Sequence, residues 1–225
     1  MFRRSGRTET SHAPPGATDD VDPDILEDRR LVEAAKRGDL PSFNALVVRH
    51  ERPVYALCLR MLRDQMAAED ATQDSFIKAW SSIAPFRGDF FRPWLLKIAS
   101  NRCLDVIRSK GRRPADSLDA MPFEIEPEWS SQSGAGELPE QHAVRSELSG
   151  HLERALATLP DDQRLVVILS DIEGRSYDEI AEITGSAVGT VKSRLSRARA
   201  RLRETLRADP EQRELLERFG RHYDE

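Results

Sequence analysis

Between Ser186 and Arg207 the chain sets seven basic side chains, Lys192, Arg194, Arg197, Arg199, Arg201, Arg203 and Arg207, against a single acid, Glu204. Small hydroxyl residues lie among them. Cations neutralise phosphates, and hydroxyls and amines reach base edges, so this mixture suits nucleic-acid binding. At 100° per residue, Thr190, Lys192, Ser193, Ser196 and Arg197 point away from an apolar stripe of Val188, Val191, Leu195, Ala198 and Leu202, toward base edges. Arg194, Arg199 and Arg201 flank that stripe and suit phosphates. A second basic stretch, Arg87 to Arg113, holds eight cations and two acids. It begins in a short segment, APFRGDFFR, that breaks the helical pattern with Pro85 and Gly88 and is expected to expose Phe86, Phe90 and Phe91. Just beyond it, Trp94, Lys97, Asn101, Arg108 and Arg112 fall within about 60° of one another on a helix. Aromatic rings, an amide and cations together form a surface on which single-stranded bases stack and phosphates are neutralised. The alternative is that Trp94 packs inward and the cations only solubilise.

These side chains need helices to position them. Ser176 with Glu179 three residues later forms a capping box that opens a short helix, stopped at Thr184-Gly185. A second helix follows, with Ser186 as its expected N-cap. Two short helices joined by a glycine turn are the signature of a helix-turn-helix, whose second helix enters the DNA major groove. Two further helices, 143–158 and 161–172, interrupted at Leu159-Pro160, are expected to support it with a core of Leu152, Leu156, Leu165, Ile168, Leu169 and Ile172.

Toward the N-terminus the periodicity predicts helices over 25–37, from Asp39 and Pro41 to about Arg63, over 66–83, and from Pro93 to about Arg113. Phe43, Leu46, Val47, Tyr55, Leu59 and Leu62 supply the core of the second. Phe76, Trp80 and Ile83 form the buried stripe of the third, and Leu95, Ile98, Ala99 and Val106 that of the fourth. Asp70, Gln73 and Asp74 share another face of the third helix, an acidic face that by itself reads as solvated surface. Residues 114–141 are rich in Pro, Gly, Ser and acid, a linker with seven acids and no base between Ala115 and His142.

The fold class expected is all-α: two small helical domains, 25–113 and 142–207, joined by a flexible acidic linker, with a disordered tail over 1–24 and a polar tail over 208–225. The formal net charge of −5 over 225 residues conceals the two cationic stretches. No apolar run approaches the ~20 residues of a membrane span, and the N-terminus lacks a signal-peptide core, which points to the cytoplasm. Cys58 and Cys103 fall inside helical patterns and read as core thiols, with a redox pairing the lesser possibility. The five histidines show no ligand spacing, so neither metal nor cofactor is expected. No nucleophile or acid–base constellation marks an enzyme.

Three stretches, AAEDATQDSFIKAW, FRGDFFRPWLLKIASNRCLDVIRSKGRR and LPDDQRLVVILSDIEGRSYDEIAEITGSAVGTVKSRLSRARARLR, resemble in order and spacing the extracytoplasmic-function (group IV) sigma factors of bacterial RNA polymerase. The resemblance implies that Asp70, Gln73 and Asp74 dock on the clamp helices of the polymerase largest subunit. It implies that Phe86 to Phe91, with Trp94, Lys97, Asn101 and Arg108, hold the melted minus-ten strand and a flipped base. It places the minus-thirty-five duplex against Lys192, Ser193, Ser196 and Arg197. It implies a linker threading the RNA channel, contact with the polymerase flap, and an anti-sigma protein as a further partner. A free-standing helix-turn-helix regulator, whose first domain senses a ligand or dimerises, is the competing reading. The acidic and aromatic-basic surfaces of the first domain distinguish the two.

Overall fold

The computed structural model describes residues 23–88, 90–111 and 150–208. Expectations for residues 1–22 and 209–225, the linker and Arg112 fall outside that range; Pro23 and Asp24, expected in the first tail, belong to a helix, as does Ala208, expected in the second. Every regular element among the described residues is helical: α1 (Pro23–Lys36), α2 (Leu40–Leu62), α3 (Gln65–Ser82), α4 (Phe91–Gly111), α5 (150–157), α6 (Asp161–Val167), α7 (Tyr177–Thr184) and α8 (Val188–Ala208).

Local chemistry sets the boundaries. Asp39 caps α2 by accepting from the Ser42 amide at 3.0 Å, with Pro41 in the first turn where its missing N–H costs nothing. Arg63 ends α2 in the left-handed conformation, φ 56°, its amide donating to the Leu59 carbonyl. Asp64 then caps α3 through the Ala67 amide at 3.0 Å. The fourth helix begins at Phe91, two residues before Pro93, which therefore sits within the first turn. After Val167, α6 loosens into a π-helical turn, Ile168–Ile172, whose Glu173 amide reaches the Ile168 carbonyl.

In the first unit α2 packs on α1, α3 and α4, with Leu46, Leu57, Met61, Leu95 and Leu96 fully buried between them. Cys58 and Cys103 are free thiols inside this core. The hydrogen-bonded Cys58 beside it, and burial, push the Cys103 thiol up, so it stays neutral. In the second unit α8 lies across α6 and α7 around Leu156, Leu165, Ile168, Leu169, Ile180 and Leu195. Leu152 and Ile172, expected in that core, are instead 40% and 37% exposed.

The two units touch, α4 against α7 and α2 against α6. Arg60 of α2 pairs with Glu153 of α5 at 2.8 Å, and Arg92 of α4 with Glu173 at 2.6 Å. Arg164 is buried and donates to the carbonyls of Leu156 and Leu159 in its own unit and Met61 across the junction, so one guanidinium caps two helix C-termini. Of its predicted stripe α4 buries Leu95 and Ala99 and leaves Ile98 and Val106 half-buried; Leu96 and Cys103 are buried as well, Cys103 beside Cys58 of α2.

Candidate nucleic-acid interface

The loop between α3 and α4 is built on aromatic packing. Phe86 and Phe91 are buried, and Phe90 is the exposed ring of the three. The expectation of three exposed phenylalanines is therefore corrected. Phe86 lies 4.7 Å from the Trp94 ring and 6.5 Å, edge-on, from Phe91, which lies 5.7 Å from Trp94 and 5.3 Å from His50. Gly88 makes this possible, because a Cβ there would stand 2.7 Å from Phe86 Cε2. Trp94 is consequently half-buried: it supports the loop with one face, and the inward-packing alternative describes much of its surface. Asn101 and Arg108 are exposed along α4 and Lys97 is half-buried; Arg87 is exposed beside Gly88.

On α3, Asp70 and Gln73 are exposed. Asp74, the third member of that face, is held by Arg102 of α4 at 2.7 Å, and Asp64 by Lys110 at 3.0 Å. Part of the acidic face is thus neutralised by the cations of the neighbouring helix. Spacing along one helix could not reveal this.

The helix-turn-helix forms as its sequence signature predicts. The Ser176 hydroxyl accepts from the Glu179 amide at 3.3 Å and the Glu179 carboxylate from the Ser176 amide at 2.8 Å. Gly185 ends α7 at φ 62°, the left-handed region glycine enters without strain. The Ser186 N-cap expectation is corrected: α8 starts at Val188, its first turn bonds to the Ala187 carbonyl, and the Ser186 hydroxyl accepts from Arg194 at 2.9 Å. Val191, Leu195, Ala198 and Leu202 are buried, whereas Lys192, Ser193, Ser196 and Arg197 are exposed and Thr190 half-buried.

The cations of α8 divide into two kinds. Arg194 pairs with Asp162 at 2.9 Å and Arg199 with Asp171 in a two-pronged contact, both reaching back to the supporting helices. Burial of Asp171 opposes ionisation, but the Arg199 bond prevails and holds its carboxyl below the usual range. Arg197 instead bonds within α8, to the Ser193 carbonyl at 3.1 Å and hydroxyl at 3.2 Å, and Lys192 lies 5.9 Å over the exposed Tyr177 ring. Arg201 is exposed. Tyr177 escaped the sequence reading, because nothing in its position on α7 signals contact with a helix fifteen residues away. Among the described residues no group of three or more His, Cys, Asp or Glu could hold a metal, and no helix is long and apolar enough to cross a membrane.

A helix-turn-helix in one unit and an aromatic-basic loop in the other give the chain two surfaces with the chemistry of nucleic-acid contact. Residues 46–113 match the family Sigma-70 region 2, and residues 150–202 match Sigma-70, region 4. The RNA polymerase sigma-H factor of Pseudomonas aeruginosa is 36% identical over 185 residues, 80% of this chain and 94% of that one. The ECF RNA polymerase sigma-E factor of Escherichia coli K12 is 38% identical over 178 residues, 77% and 91% of the two chains. Among solved structures, the sigma factor RpoE in complex with the anti-sigma factor NepR from Bartonella quintana aligns with TM-score 0.58 at 30% identity, over 76% of this chain and 99% of that one. CnrH, in complex with the cytosolic domain of CnrY, aligns with TM-score 0.59 at 28% identity, over 81% and 99%. The chain belongs to the sigma-70 family of RNA polymerase sigma factors, in its extracytoplasmic-function class. It directs promoter-specific initiation of transcription by RNA polymerase.

Proposed function

We propose that the first unit docks on the polymerase clamp through Asp70, Gln73 and Asp74 and grips the melted minus-ten strand. Phe90, Arg87, Lys97, Asn101, Arg108 and Arg112 supply the strand contacts. Phe86, Phe91 and Trp94 shape the loop that presents them. The observation that carries this reading is the loop itself: one exposed aromatic ring, Phe90, next in the chain to a packed cluster of Phe86, Phe91 and Trp94, beside a row of cations.

In the second unit Thr190, Lys192, Ser193, Ser196 and Arg197 read the minus-thirty-five duplex, while Arg194, Arg199 and Arg201 lie beside its phosphates. Because Arg194 and Arg199 are tied to Asp162 and Asp171, they fix the orientation of α8, and the phosphate energy falls mainly on Lys192, Arg197 and Arg201. Serines discriminate bases weakly, so DNA shape carries part of the specificity.

The protein is a non-catalytic subunit that acts in the cytoplasm and is released from an anti-sigma partner by an envelope or other stress signal. The relative solved with an anti-sigma factor supports this partner class. The test is run-off transcription by bacterial core polymerase on a genomic promoter library, with the wild-type protein and with a double Asp70→Ala, Asp74→Ala variant. Starts that need the protein and weaken in the variant are expected. Specific duplex binding by the protein alone, with no starts, would return it to a free-standing regulator.

A further inference from the structure

Between α2 and α3 a groove of about 520 Å³ runs past Phe43, Val47, Tyr55, Phe76 and Trp80, with the Phe43 and Trp80 rings 5.0 Å apart. Two further lining residues, Leu40 and Ile77, are 51% and 60% exposed, so no described element covers it. Apolar surface left this open marks an interface. The charge in the groove has one sign. Glu51 and Glu69 are both exposed, and no base is among the lining residues. Glu69 accepts from Gln65 at 3.0 Å, and burial together with the nearby Glu69 charge pushes the Tyr55 phenol up. An occupant therefore needs an apolar or aromatic side chain for the walls and cations for the two carboxylates.

Three long stretches of the chain lie outside the described residues, and charge separates them. Residues 112–149 hold eight acids and three bases, and residues 209–225 six acids and three bases. Residues 1–8 hold Phe2, Arg3, Arg4 and Arg7 and no acid. Like charge disfavours the first two in an acidic groove, whereas the third complements it. Its attachment point is also near. The first helix begins at Pro23, and Asp24 is tied to Arg49 of α2 through its carboxylate at 3.0 Å and its carbonyl at 3.3 Å. Glu51, two positions on from Arg49, points to the opposite flank of the same helix, where the groove lies. The segment has only to pass round one helix, about 10–12 Å across. The sixteen residues from Arg7 to Pro23 span up to about 50 Å when extended.

We infer that Phe2 to Arg7 of this chain dock in the α2–α3 groove, the Phe2 ring against its apolar wall and the arginines on Glu51 and Glu69. Tethering makes the contact intramolecular, so even a weak interaction is well populated. Gln73 lines the groove, and Asp70 stands about one turn before it on α3. The docked segment thus covers the face offered to the polymerase clamp and leaves before the clamp binds. That consequence rests on the clamp-docking role proposed above; the groove contact itself does not.

The test places a nitroxide on Ser5→Cys in the full-length, isotope-labelled protein, where Cys58 and Cys103 are buried and do not compete for the reagent. The amide signals of Asn44, Glu51 and Gln73 should broaden. Mixing nitroxide-bearing protein without isotope and isotope-labelled protein without nitroxide should leave them sharp; broadening in that mixture gives the groove to a second copy and overturns the inference. Glu51→Lys with Glu69→Lys should abolish the broadening, and adding Arg3→Glu, Arg4→Glu and Arg7→Glu should restore it. Broadening that is absent, or indifferent to charge reversal, also overturns the inference. Circular dichroism checks that each variant keeps its helices. A variant carrying Arg3→Ala, Arg4→Ala and Arg7→Ala should bind core polymerase about five-fold more tightly than the wild type, the gain expected when about four molecules in five are docked. If the broadening is seen and this affinity does not change, the groove contact stands and the clamp docks elsewhere. If the broadening is absent while the Asp70→Ala, Asp74→Ala variant still loses transcription starts, the inference falls and the clamp reading stands.

Discussion

Gly88 and Arg197 carry different kinds of information. A Cβ at Gly88 would come within 2.7 Å of a buried ring, so Gly88→Ala should destabilise the first unit by about 1–3 kcal/mol through overpacking. Urea unfolding followed by tryptophan fluorescence reads this directly, since Trp94 lies against the displaced ring. Among the arginines of α8, partners decide the role. Arg197→Ala should weaken duplex binding and flatten its salt dependence by about one phosphate's worth, with little change in melting temperature. Arg199→Ala should lower the melting temperature more and the salt slope less, because its guanidinium is engaged with Asp171. Equal salt slopes for the two would show that the ion pair does not hold when DNA arrives. The sequence makes these residues look alike: both are arginines on a basic helix, two positions apart. The acid that separates them, Asp171, lies twenty-eight residues before Arg199.

Helices here are closed by chemistry that short-range spacing reveals. The capping box of α7 was legible from Ser176 and Glu179 alone, and Ser176→Ala should cost the helix-turn-helix unit about 0.5–2 kcal/mol, seen as an earlier thermal transition. The attachment of α1 was not legible, because its ion pairs span more than twenty residues. Asp28 meets His50 and Arg49 at 2.8 Å each. Burial raises the carboxyl's pKa, but the bonds to His50 and Arg49 outweigh it, so the folded-state value lies below the ordinary one. A depressed acid stabilises the fold fully above its unfolded pKa, about 3.9, and that stability disappears as pH falls through the lower folded value. Urea midpoints should therefore fall more steeply below about pH 4 in the wild type than in Asp28→Asn. Parallel pH profiles would remove Asp28 from the attachment of α1.

Across the whole chain, the junction between the units adds polar pairs to the α4–α7 contact: Arg60–Glu153, Arg92–Glu173 and the Arg164 cap. Such contacts hold only while every charge has its partner, since a buried ion left alone costs several kcal/mol. Glu153→Ala with Glu173→Ala strands two arginines, so the variant should open, with a larger radius of gyration by small-angle scattering and each unit's helical content unchanged. An unchanged radius would mean that the α4–α7 contact suffices by itself. The helices, their periodic buried faces, the capping box and the two cationic stretches follow from residue type and spacing over one or two turns, where the chain's own geometry sets the neighbours. Which cations are occupied by acids, which phenylalanines turn inward, the groove between α2 and α3, and the meeting of α4 with α7 depend on contacts between segments tens of residues apart. Those contacts exist only after the helices pack, because no local periodicity encodes which side chain from a distant helix will arrive opposite a given position.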